Sequence, residues 1–157
     1  MRSLFFAVSF IATVSAFALP KTVTLTGALQ SRRGTTDEVQ VELTLKKESA
    51  TKAKYVGHVH FTNILAQNES IELNMNLAKS KSDGVINLFD GYVAFDSKAV
   101  YTMEVGQQLQ LQYSEYHEDH MAPPCIPVQN NWCRPGGNDL PSLTDTGVLN
   151  LTVSQAQ

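Results

Sequence analysis

The sequence predicts an all-β fold: an antiparallel β-sandwich of about eight or nine strands, with a long disulfide-containing loop before the last strand. Three observations predict it. Apolar and polar residues alternate with period two along most of the chain, as half-buried strands require. Turn residues interrupt that alternation at short intervals. No window after the N-terminal leader carries the apolar repeat of an amphipathic helix. Short antiparallel strands with one polar face suit a sandwich or a small closed barrel, and the sandwich is the first choice. An outer-membrane barrel is the rival; the short strands, the absence of aromatic girdles at their ends and the polar residues 154–157 stand against it.

The elements follow in chain order. Arg2, the apolar run 4–14 and the small-x-small pattern Ala16-Phe17-Ala18 have the layout of a secretory signal peptide over residues 1–18. The apolar run is too short for a stable transmembrane helix. Residues 19–157 then form a single β-sandwich domain with length enough for a core. Val23 and Leu25 begin the alternation, and Val39, Val41, Leu43 and Leu45 alternate with Gln40, Glu42 and Thr44. Tyr55, Val59 and Phe61 continue it, as do Ile71, Leu73, Met75 and Leu77. Strands are expected over 85–89 and 92–95, joined tightly at Asp90-Gly91. Further strands are expected over 99–105, 107–116 and 148–153. Turns are expected at Arg33-Gly34, Asp83-Gly84, Ser97-Lys98 and Gly106.

Residues 117–145 break the pattern. They contain both cysteines, the only tryptophan, two of the four histidines and five of the six prolines. A long aperiodic loop inside a compact domain is functional or disordered, and a cysteine pair favours the first. In an exported chain Cys125 and Cys133 are expected to bond to each other. The small ring they close contributes about 2–3 kcal/mol in the chain-entropy account. Constrained further by Pro123, Pro124 and Pro127, it forms a preorganised interaction loop with Ile126, Val128 and Trp132 at its surface. The competing arrangement folds Trp132 back as a plug over one end of the sandwich.

The histidines suggest a second chemistry. His58 and His60 alternate on one strand and so share its polar face. His117 and His120 lie where a strand gives way to the loop, and Met121 follows. If the two segments meet, four imidazoles surround one site suited to copper or zinc. Histidines on a wet strand face or in a loop are the plainer reading. His58-Val59-His60 resembles the copper-ligand strand of the copper/zinc superoxide dismutases, which are β-sandwiches of similar length. The resemblance covers those three residues. The family's glycine-rich loops, zinc-binding loop and catalytic arginine have no counterpart, so its activity is not carried over.

Composition narrows the functions. Loss of Arg2 leaves 11 basic against 15 acidic residues, with Arg32-Arg33 and Lys46-Lys47 as the only basic clusters, which gives little support to a nucleic-acid partner. There is no nucleophile elbow and no phosphate-cradling loop. The carboxylates of Glu115, Glu118 and Asp119 cluster in sequence without marking a glycosidase. Asn68-Glu69-Ser70 and Asn150-Leu151-Thr152 fit the N-glycosylation pattern. The reading is therefore an exported, soluble module, periplasmic or secreted. It binds a protein or cell-surface partner through the 117–145 loop or an exposed sheet edge, with no catalytic residue assigned. The alternative is a copper- or zinc-binding protein that uses His58, His60, His117 and His120; catalysis ranks third.

Overall fold

Alternation becomes eight antiparallel strands in the computed structural model, which describes residues 18–62, 69–117 and 142–157. The strands are β1 (Thr22–Ser31), β2 (Thr36–Glu48), β3 (Lys52–Phe61), β4 (Glu69–Asn76), β5 (Lys81–Leu88), β6 (Gly91–Ser97), β7 (Gln108–His117) and β8 (Ser142–Ala156). The only helical piece among the described residues is one 3-10 turn, Leu77–Lys79. No helix among them is long and apolar enough to cross a membrane.

The expected sandwich is corrected to a closed barrel. Strands pair in chain order, and β8 returns to β1 in a register from Val23↔Ala156 to Ser31↔Gly147. Sandwich and barrel demand the same period-two pattern, so alternation does not separate them. Closure comes from features the pattern ignores. Register shifts in β1–β8, β2–β3 and β7–β8 bend the wall. Glycine inside strands admits close backbone approach: a Cβ on Gly84 would meet Phe95 Cζ at 2.5 Å, so that ring packs over the bare β5 backbone. Closure also removes the exposed sheet edge considered as a binding surface, because every strand has two partners.

An eight-stranded barrel is wide enough for its own inward side chains or for one small ligand, and here the side chains fill it. Leu25, Val41, Tyr55, Val59, Met75, Ile86, Leu109, Leu111, Leu149 and Val153 are among the fully buried residues. Outward positions carry Thr24, Glu42, His58, Glu72, Asn74, Gln110 and Thr152. This is the reverse of the distribution in a barrel that faces lipid.

The two ends differ. At one, here the strap end, β1 begins and β8 finishes. Residues 99–105, expected as a strand, instead belong to a strap that runs to residue 107 and crosses between β6 and β7. Tyr101 and Met103 from the strap are buried in the core. Ser82, the one buried polar side chain among the described residues, donates to Ala99 O at 2.7 Å. The Tyr55 hydroxyl donates to Pro20 O at 2.8 Å across the same end. At the other, the loop end, β1 turns into β2, β5 into β6, and β7 leads into the segment that precedes β8.

Two turns and one strand start move from their expected places. Asp83-Gly84 lies inside β5; the reversal before it is the 3-10 turn, closed by Ser80 at φ 47°. The β5–β6 turn is Phe89-Asp90, since Leu88 pairs with Gly91. β8 begins at Ser142, six residues before the expected strand, and takes in the last part of the aperiodic stretch. Residues 1–17, on which all but the last residue of the expected leader 1–18 falls, lie outside the described residues. So do His120, Cys125, Ile126, Val128, Trp132 and Cys133, and with them the expected disulfide and the expected interaction ring.

Candidate functional site at the loop end

β7 changes character along its length. Leu109, Leu111 and Tyr113 point into the barrel, and the next two inward positions are Glu115 and His117, both half-buried. An apolar row therefore ends in polar groups at the mouth from which residues 118–141 depart. Across the seam Asp145 of β8 is the register partner of Glu115.

Gly147 shapes this corner. A Cβ there would lie 2.7 Å from Tyr113 Cε1. Its absence lets the tyrosine ring pack over β8 and places the hydroxyl 3.3 Å from Asp145 Oδ2, to which it donates. The Thr146 N–H donates to Asp145 Oδ1 at 2.8 Å. The Ser31 hydroxyl, then the Thr146 N–H, Tyr113 hydroxyl and Arg33 guanidinium hold the Asp145 carboxyl below its usual value, against a partial upward push from burial. Burial first, and then the Asp145 charge, pushes the Tyr113 phenol up to about 12.

The second carboxylate has a different partner. His117 Nε2 donates to Glu115 Oε1 at 2.9 Å, and Nδ1 faces Asp90 Oδ2 at 3.6 Å. Asp90 sits on the two-residue β5–β6 turn, so the imidazole links that turn to β7. The β1–β2 turn is tied in from the other side: Arg33 Nη2 donates to Thr144 O at 2.8 Å and Arg32 N to Thr146 O at 2.8 Å. Each carboxylate is thus satisfied by a separate set of donors.

Just outside this mouth lies an apolar row. The register shift between Glu115 and Tyr116 brings Leu143 opposite Tyr116, and Tyr116 is opposite Tyr92. The two tyrosine rings stack with centroids 5.0 Å apart. Phe89, on the adjoining turn, is 95% exposed, and Leu143 is 57% exposed. Phe89, Tyr92, Tyr116 and Leu143 therefore crown three neighbouring strands beside the origin of the 118–141 segment. None of the four was singled out from the sequence. Phe89 reads there as the end of a strand, and only the bulge turns Leu143 outward beside Tyr116.

No family model, curated protein or solved structure matches this chain. The site must therefore speak through its own geometry.

The histidines are divided. His58 and His60 are exposed on the outer face of β3, opposite Glu42 and Gln40 of β2, where the four side chains line a dip of about 90 Å³. His117 is on β7, four strands further round the eight-stranded wall, and faces the mouth. Among the described residues no group of three His, Cys, Asp or Glu side chains is arranged to hold a metal ion.

Proposed function

We propose that this chain is an exported binding module that engages a protein partner at the loop end of its barrel. The observation that carries the reading is the row Phe89, Tyr92, Tyr116 and Leu143. Tyr92, Tyr116 and Leu143 are held in register on paired strands and Phe89 on the adjoining turn, next to a polar rim of Asp90, Glu115 and His117. Aromatic anchors with a hydrogen-bonding rim are the composition of an interface that concentrates its affinity in a few residues. Rigid strands add little ordering cost on binding. Export rests on the leader pattern in residues 1–18. Residues 118–141 leave from this mouth, so the expected interaction loop and the apolar row would serve one surface.

A photo-crosslinking amino acid at position 89 or 143, in protein produced by its own source cells, tests this. The expected result is one discrete adduct from each position and none from position 110 on the barrel wall. Excess wild-type protein should compete it away, and excess Phe89→Ser/Leu143→Ser protein should not. Adducts of equal yield from position 110 would remove the loop end from consideration. The copper or zinc alternative starts from the pair His58 and His60, and needs further ligands that the described residues do not bring to them. Stoichiometric metal in tag-free protein, lost on His58→Ala, would put that reading first.

A further inference from the structure

In sequence the lysines are dispersed; in the barrel all eight lie at the strap end. Lys21 precedes β1, Lys46 and Lys47 end β2, Lys52 and Lys54 begin β3, Lys79 and Lys81 flank the β4–β5 reversal, and Lys98 follows β6. Five carboxylates reach that end, Glu48, Glu72, Asp83, Asp96 and Glu104, so eight against five leaves a surplus of three positive charges on a chain of net charge −3. Six of the eight lysines lie on the β2–β5 side, a width of about 14 Å at ordinary strand spacing.

A bulge concentrates them further. The register shift after Leu45 turns Lys47 outward, directly opposite Lys54, although like charges in that position destabilise a strand pair. Lys54 has Glu72 at 2.8 Å and Lys81 has Asp83 at 3.6 Å; among the described residues Lys47 and Lys52 have no carboxylate within 4.0 Å. Lys47, Lys52 and Lys54 line a hollow of about 540 Å³ with Ser49, Asn74, Asn76 and one carboxylate, Asp83, which already faces Lys81. Ammonium groups suited to anions are therefore interleaved with amide and hydroxyl groups suited to sugar hydroxyls.

We propose that this hollow binds a linear sulfated polysaccharide, whose sulfates sit between Lys47, Lys52 and Lys54 while Asn74 and Asn76 meet the sugar hydroxyls. Single-stranded nucleic acid fits less well, because the aromatic rings at this end, Tyr55 and Tyr101, are buried and offer no stacking face. A flat anionic bilayer fits less well because the lysines occupy one flank of a curved wall. The surface is at the opposite end from the protein-binding row, so either proposal can fail alone.

Calorimetry of the whole protein with a sulfated heparin octasaccharide provides the test. Saturable binding is expected, weakening by about tenfold or more between about 50 and about 200 mM NaCl if three ionic contacts form. The triple variant Lys47→Gln/Lys52→Gln/Lys54→Gln should lose binding by a comparable factor with an unchanged melting temperature. The charge-matched Lys21→Gln/Arg32→Gln/Lys98→Gln and the Phe89→Ser/Leu143→Ser variants should bind as wild type. The proposal is overturned by no saturable binding at the lower salt, or by equal loss in the charge-matched triple. Tighter binding to single-stranded DNA of equal charge, or to vesicles rich in anionic lipid, would also overturn it.

Discussion

Gly147 and Asp145 show how much of the mouth depends on single atoms. A methyl group on Gly147 would press on the Tyr113 ring and on Gln30 O. Gly147→Ala is therefore expected to cost about 1–3 kcal/mol through overpacking; denaturant midpoints at neutral pH measure it. Asp145 predicts a pH effect. Its carboxyl is held low in the folded state, so it contributes stability above the ordinary value of 3.8, and that contribution is lost as pH falls through the folded value. Because the group is only half-buried, solvent screening keeps the contribution small. Asp145→Asn, which mimics the protonated carboxyl, should lower stability slightly in the neutral region, leave it nearly unchanged below the folded value, and so flatten the acid limb. An equally steep acid limb in the variant would assign it to other carboxylates. Tyr113 and Glu115 could be placed on a strand from the sequence, because β7 alternates cleanly; His117 was expected at the start of the loop and instead ends β7. Asp145 could not, since the composition of the preceding residues hid the start of β8.

Among the elements, the strap 99–107 was the most misleading. Ala99, Tyr101 and Met103 alternate like a strand because their side of the segment is buried, although Val105 in the same row is 65% exposed; alternation reports burial on one side whether or not a neighbouring strand exists. Its backbone shows the difference. Met103 has φ 59°, uncommon for a residue with a side chain. The Met103 N–H donates to Gln107 Oε1 at 2.7 Å rather than to a strand. Met103 is completely buried. Met103→Ala should thus cost about 2–5 kcal/mol, as for other large core truncations. Thermal melts of the two proteins check this, and a loss below the lower bound would mean that the strap collapses into the space.

For the whole molecule, the all-β class and the inward residues of β2, β3, β4 and β7 were legible because period two survives any arrangement of sheets. Closure was not, because it depends on bulges and on glycines within strands. The charge segregation was not legible either: an up-and-down meander brings together strand starts and strand ends that are far apart in sequence. Burial of the core predicts alkaline behaviour as well. Desolvation first, and then a neighbouring carboxylate, pushes the phenols of Tyr55 and Tyr113 up to about 12. Their folded values are raised, so the associated stability is complete below the ordinary value of 10.0 and is lost as pH rises through about 12. Ultraviolet titration should therefore show two of the five tyrosines ionising late and together with unfolding. All five ionising near pH 10.0 while the fold persists would contradict the buried placement.

The seam between β1 and β8 also has a topological meaning. Thr22 and Gln157 exchange backbone hydrogen bonds at 2.9 Å in both directions. The described barrel is thus a ring of hairpins in which the order of strands matters and the starting point does not. A short linker from Gln157 back to Thr22, with new ends cut in the 32–35 turn, should yield a permuted chain with the same interior. In such a chain the free ends would emerge beside Arg33 rather than beside the lysines.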